Sequence, residues 1–183
     1  MRKTILAAIL GVIFSSGLYA QPERANKLEV GVGCAPFIMS YMIADDGPNS
    51  SFQISSYLEW RHLLGRHWDF GTRVGYKVGP YTQALYDGRA NGLANNIDLH
   101  IVTDFIISPD RAIDPYLGIA VGPSLFLWTS NRSGGPFTNL GLGVGPRFGI
   151  EIHNHLRLSV DTFICIWGGE AANPFFLNIG WTF

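Results

Sequence analysis

Residues 175–183 read FFLNIGWTF, and they are the last nine of the chain. In an extended strand successive side chains point to opposite faces. Phe175, Leu177, Ile179, Trp181 and Phe183 therefore share one face, and Phe176, Asn178, Gly180 and Thr182 share the other. Most soluble domains end on a few polar residues. A final strand with one fully apolar face and an aromatic tip needs a partner on each edge and an apolar medium on one side. It reads as the closing strand of a barrel, to be paired with the first strand near Lys27–Tyr41.

The opposite end of the chain carries an export signal. Arg2 and Lys3 precede an apolar stretch from Ile5 to Phe14, and the small residues Ser15, Ser16 and Gly17 lead to Ala20 before Gln21. This is the pattern of a secretory signal peptide, too short to span a bilayer. Cleavage after Ala20 is expected, with 21–26 a short periplasmic segment and 27–183 the barrel. Without Arg2 and Lys3, 11 of the 13 basic residues remain against 14 acidic ones, a balance that does not suggest nucleic acid. Charged residues are only 15% of the chain, aromatics are 13%, and there are 22 glycines. No later apolar run reaches the roughly 18 residues of a spanning helix. The two cysteines, Cys34 and Cys165, fall on non-adjacent strands and read as small apolar residues rather than a disulfide.

Eight alternating segments follow, at approximately Lys27–Tyr41, Ser51–His62, Trp68–Tyr76, Asn96–Ile107, Pro115–Trp128, Thr138–Ile152, Leu156–Trp167 and Pro174–Phe183. Their connections alternate too. Leu63–His67, Ser108–Asp114 and His153–His155 are short, whereas Met42–Ser50, Lys77–Asn95 and Thr129–Phe137 are longer, with a tighter Gly168–Asn173. Short turns at one end and long loops at the other are the asymmetry of an outer-membrane barrel, which places both termini in the periplasm. Within the strands, one face is uncharged: Ile97, Leu99, Ile101, Thr103, Phe105 and Ile107 in the fourth, for example. The opposite face mixes glycine with charges, as in Asn139, Gly141, Gly143, Gly145, Arg147, Gly149 and Glu151. A soluble lipocalin-type barrel also alternates, but its outward face would be charged. Here the mixed face is too rich in glycine for a water-facing wall, and the uncharged face is what lipid requires. The fold class is all-β: an eight-stranded antiparallel up-and-down transmembrane barrel. Trp60, Trp68, Trp181 and Phe183 mark one rim, and Trp128 and Trp167 the other, although the parity of the last two points inward.

The stretches DPYLGIAVGP (Asp114–Pro123), NLGLGVGPRFGIEI (Asn139–Ile152) and FFLNIGWTF resemble the small OmpA/OmpX-like outer-membrane β-barrel proteins. The resemblance covers the mature chain as a pattern. It implies a Gram-negative outer-membrane location, and it implies that Phe175, Leu177, Ile179, Trp181 and Phe183 form a C-terminal signal read by the barrel-assembly machinery. The surrounding partners would be outer-membrane lipid and lipopolysaccharide. Pro36, Pro123 and Pro146 fit this poorly, because proline cannot donate to a strand ladder. Bulges or local breaks are expected at each, with side-chain parity shifting beyond them.

Inward-facing charges are expected to pair across neighbouring strands: Glu151 with Arg157, Arg147 with Asp161, and Glu59 with Arg73, or Arg61 with Asp69 if the register slips. Counting from the turns puts Glu59, Arg73, Asp104, Arg147 and Asp161 in one layer. Glu29, Arg61, Asp69, Glu151 and Arg157 fall in a lower one. An eight-stranded barrel is just wide enough to be filled by such side chains, so a plugged lumen is expected; the alternative is a narrow pore for small solutes.

Two kinds of lipid A-modifying barrel, a deacylase and a palmitoyltransferase, raise the question of catalysis. Four of the five histidines (His62, His67, His153 and His155) fall at the periplasmic end, away from such a substrate; His100 is mid-barrel. Without a nucleophile beside a base, no enzyme is expected. The pair His153 and His155 lacks further ligands for a metal, and no cofactor is expected. The longest connection, KVGPYTQALYDGRANGLAN, offers Tyr81, Tyr86, Asp87 and Arg89 as contact residues. The expected role is therefore structural or interaction-based, through the loops or as an accessory subunit of a larger outer-membrane complex.

Overall fold

The computed structural model describes residues 26–35, 38–39, 50–85, 88–109, 111–130, 137–167 and 173–183. The expected signal peptide and Pro36 lie outside them. The described residues form twelve strands: β1 (Asn26–Ala35), β2 (Ile38–Met39), β3 (Ser50–Ser51), β4 (Gln53–Leu64), β5 (Trp68–Leu85), β6 (Gly88–Ile106), β7 (Ile113–Ser130), β8 (Phe137–Ile152), β9 (Leu156–Asp161), β10 (Ile164–Trp167), β11 (Asn173–Pro174) and β12 (Phe176–Thr182). With β9 and β10 taken as one interrupted stave, β1, β4, β5, β6, β7, β8, β9 and β12 make an antiparallel barrel of eight. It closes where β1 pairs β12, from Glu29 opposite Thr182 to Cys34 opposite Leu177.

At the short-turn end the backbone forms a belt. The N–H of Ile106 donates to the C=O of His67 (2.7 Å), that of His153 to Ala112 (2.9 Å), and that of Thr182 to His155 (2.7 Å). Phe183 exchanges both backbone bonds with Leu28, at 2.8 and 3.5 Å, so the terminal residue is the last rung of the closure. The His153-Asn154 pair has positive φ at both residues (49° and 60°), and the N–H of His155 donates back to Ile152 (3.1 Å). A tight turn with both central residues in this region matches the twist of the flanking strands.

The alternation is inside-out relative to a soluble protein. Leu58, Val74, Leu99, Ile101, Leu117, Leu140, Leu177 and Ile179 are exposed on the outer face, while Glu29, Glu59, Arg61, Asp104, Arg147 and Arg157 are buried within. Among the described residues, the exposed Lys, Arg, Asp or Glu side chains are Arg66 and Arg111, both in turns. Such a wall suits hydrocarbon, where strands must be closed on one another to satisfy their backbone groups.

Three expectations are corrected. The segment Lys77–Asn95 is no long loop: β5 and β6 stay in register up to Leu85 opposite Gly88. Strands of 18 and 19 residues, tilted as in such barrels, reach roughly 45–50 Å and overshoot an apolar band about 25 Å tall. The glycines, prolines and asparagines there mark a polar hairpin above the membrane.

Second, Pro123 and Pro146 break the ladder without shifting parity. The β6–β7 pairing lapses between Asp98 opposite Ser124 and Ile101 opposite Val121, then resumes in the same register. Both prolines turn their rings outward, and β7–β8 pairing runs through them unbroken.

Third, the bulge lies elsewhere, between Cys165 and Trp167. The extra residue rotates Trp167 outward, to 68% exposure, which reverses its expected inward parity. The Trp128 side chain lies outside the described residues. Cys34 is a free thiol, in line with its reading as a small side chain, and the Cys165 side chain is not among those described.

Candidate functional site

The lumen collects nearly every charge of the wall. Glu59 on β4 is its hub. Arg147 Nη2 donates to both carboxylate oxygens of Glu59, at 3.1 and 2.9 Å. Arg157 Nη1 reaches the same carboxylate at 3.1 Å, Arg61 Nε at 3.3 Å and Arg73 Nε at 3.5 Å. Below it, Arg61 binds Glu29 (2.9 Å), Asp69 (2.7 Å) and Glu151 (3.2 Å). Arg157 Nη2 meets Asp104 at 2.5 Å, and Arg73 Nη1 meets Asp161 at 2.5 Å. Arg61 and Arg157 tie residues of the two expected layers together, each reaching both Glu29 and Glu59.

All the residues foreseen as interior charges are interior, but their partners differ. The register is the unslipped one, with Glu59 opposite Arg73, yet Arg61 still reaches Asp69 diagonally. The directly facing pairs Arg147–Asp161 and Glu151–Arg157 are only 3.8 Å contacts. The shorter bonds run diagonally to the next strand, as Arg61–Asp69 and Arg61–Glu29 do, or across the lumen, as Arg147–Glu59 and Arg73–Asp161 do. Two directly facing pairs even carry like charge: Glu29 opposite Glu59, and Asp69 opposite Asp104. Like charges so placed are destabilising. They are tolerated here because Arg61 and Arg157 each reach both Glu29 and Glu59, while Asp69 and Asp104 bind Arg61 and Arg157 respectively.

Several members went unforeseen. Lys27 Nζ lies 2.7 Å from Glu151, and its parity with Glu29 signals the inward position. Tyr57 donates to Glu29 at 2.6 Å and carries the Arg73 guanidinium 3.6 Å above its ring. Tyr116 stacks likewise beneath Arg157, at 3.7 Å. The Tyr57 ring lies across Gly31, and the Glu29 carboxylate with the Tyr57 hydroxyl lies over Gly180, so a Cβ at either glycine would collide.

Above the plug is a cavity of about 40 Å³, lined by Lys77, Asp98, His100, Arg73, Phe163 and Phe176 among others. Lys77 Nζ lies 2.7 Å from Asp98. Lys77 falls in the segment whose Gly and Pro read as a loop, and that reading hides its inward parity. Beside the cavity, Asp98, His100 and Ser124 have the residue types of a hydrolytic triad but not its wiring. The Ser124 hydroxyl donates to Asp98 (2.6 Å), and His100 Nε2 is 3.3 Å from Ser124 Oγ. A nucleophilic serine needs its proton directed at the base and the acid on the base's far nitrogen. Ser124 is also buried and absent from the cavity wall. His100 stacks on Phe163 instead, with ring centres 4.5 Å apart.

Three of the rim histidines are structural. His155 stacks on Trp181 (5.4 Å) and bonds the C=O of Thr182 (3.0 Å). His67 stacks on Phe105 and bonds Ile106, and His62 pairs with Asn26. Among the described residues no group of three His, Cys, Asp or Glu side chains could hold a metal ion. Of the residues foreseen for loop contacts, Tyr81 and Arg89 lie in the β5–β6 hairpin, and Tyr86 and Asp87 lie outside the described residues.

No protein-family model matches the chain, and no curated protein does. Solved structures do match its shape. The outer membrane protein OprG of Pseudomonas aeruginosa is 10% identical, with a TM-score of 0.57 over 88% of this chain and 97% of that one. Neisserial surface protein A is 13% identical, with a TM-score of 0.55 over 88% and 98%. Ail of Yersinia pestis, in complex with the heparin analogue sucrose octasulfate, is 12% identical, with a TM-score of 0.53 over 87% and 100%. The chain has the eight-stranded fold of the small OmpA/OmpX-like outer-membrane β-barrels, as its sequence pattern implied.

Proposed function

We propose that the protein is an integral outer-membrane barrel that works by binding or by structural association, and neither conducts solutes nor catalyses a reaction. The observation that carries this reading is the Glu59 hub. Glu59 and Arg61 are 0% exposed, Glu29 1%, and Arg147 and Arg157 2%, which supports a lumen plugged by these side chains. A buried charge is stable only when paired, and each of these is held by two or more opposite charges. The proton wiring of Ser124 supports a non-catalytic interior.

A plugged lumen leaves contact with other molecules to the barrel's outer surfaces. Among the described residues β5–β8 are the longest strands, and the β5–β6 hairpin among them carries Tyr81 and Arg89. Both termini lie in the periplasm in this reading, and Phe175–Phe183 serves as the assembly signal. The test is crosslinking in native outer membranes followed by isolation, with a sulfated glycan array as a second arm because Ail binds a heparin analogue. A discrete protein complex supports the subunit role, and a retained glycan supports loop binding. Lipid A altered on expression overturns the non-catalytic reading.

A further inference from the structure

Pairing between β9 and β12 runs from Leu156 opposite Trp181 to Asp161 opposite Phe176, and stops there. Beyond that point, among the described residues, β10 pairs with β8 and β11 pairs with β2, and no backbone pairing joins β10 to β11. Thr162 and Phe163 belong to no strand; the N–H of Thr162 turns away to the C=O of Pro146 (3.2 Å). Among the described residues the wall therefore has an unpaired seam, a split in its hydrogen-bond ladder, in the half nearer the long connections.

The cavity above the plug lies directly behind this split. Phe163 and Phe176 flank the split and are turned inward, 7% and 3% exposed, while their neighbours Ile164 and Phe175 face outward. Apolar side chains thus separate the lipid face from the cavity along the unpaired stretch. The back of the cavity is ionic. Lys77 sits there with its Nζ 4.8 Å from the centre of the Phe176 ring. An ammonium has three donors, and among the described residues its hydrogen-bonding partner is Asp98. Among the cavity-lining side chains, Lys77, Arg73 and Arg147 face Asp98 and Asp161, an excess of one positive charge. At about 40 Å³ the cavity takes a small polar head but no hydrocarbon chain.

We propose that this is a binding site for the carboxylate head of a single-chain amphiphile of the long-chain fatty acid class. The head rests against Lys77, and the chain leaves between Phe163 and Phe176 into the bilayer. The site rests on the reading of the chain as a membrane barrel.

The test uses the full protein refolded into lipid nanodiscs, with palmitic acid carrying a photoreactive diazirine near its carboxyl end. Heat-modifiable gel mobility first establishes the folded barrel, so failure of the barrel reading is seen separately. The expected result is saturable labelling concentrated on residues 162–164 and 175–177, displaced by palmitic acid but not by its methyl ester. Lys77→Gln removes a charged hydrogen bond and should lower labelling about tenfold. Phe163→Trp, which narrows the split and leaves Lys77 intact, should lower it as well. Labelling spread evenly around the lipid-facing wall overturns the proposal. So does labelling displaced equally by the ester, an outcome readable on the unsubstituted protein should a variant fail to fold.

Discussion

Arg147 and Glu59 face each other across the full diameter of the barrel. Their strands, β8 and β4, stand four places apart whichever way the wall is followed, and Arg147 Nη2 lies 3.1 and 2.9 Å from the two Glu59 oxygens. Arg73–Asp161 and Arg61–Glu151 span the same number of staves. The plug is a set of crossbars, and its stability is non-local.

Glu59→Gln would leave four arginines around a neutral side chain. Removing one partner of a buried pair typically costs about 3–5 kcal/mol. The expected result is a lower urea midpoint for the refolded barrel in lipid vesicles. Combining it with Arg147→Met should be non-additive, by about 0.5–3 kcal/mol as for residues in contact. Strict additivity would contradict the direct contact.

Tyr57→Phe removes the 2.6 Å hydrogen bond to Glu29 while keeping the ring over Gly31. Leaving a buried carboxylate oxygen short of its donor is expected to cost about 1–3 kcal/mol. Gly31→Val should be worse, because its Cβ meets the Tyr57 ring; fraction folded by gel mobility reads both.

Deleting Phe183 removes both backbone bonds to Leu28 at the closing seam. Assembly should fall while export continues, seen as unfolded protein accumulating in the periplasm. Normal levels of folded barrel would contradict the role of this rung.

These effects mark what the sequence could and could not carry. The strict alternation of Leu156–Asp161 and Phe176–Thr182 made the wall, its faces and its closure legible, because a period of two is a local signal. The crossbars were not legible. Neighbouring strands predict the nearest partner, and a long arginine in a narrow lumen reaches past it to the opposite wall. The upper β5–β6 hairpin was hidden for another reason: outside the lipid there is no demand for apolar alternation, so Gly79, Pro80, Asn91 and Gly92 read as a loop.

Trp167 tests the bulge. A variant keeping Trp167 as its sole tryptophan, with the other four replaced by Phe, should be quenched by chain-brominated lipids and shielded from an aqueous quencher. The opposite pattern would restore the inward parity that simple alternation predicts.

The closed lumen is tested most directly by single-molecule conductance of the refolded monomer in a planar bilayer. The account predicts insertion without resolved current steps at neutral pH. A stable open state of the unsubstituted protein would contradict it.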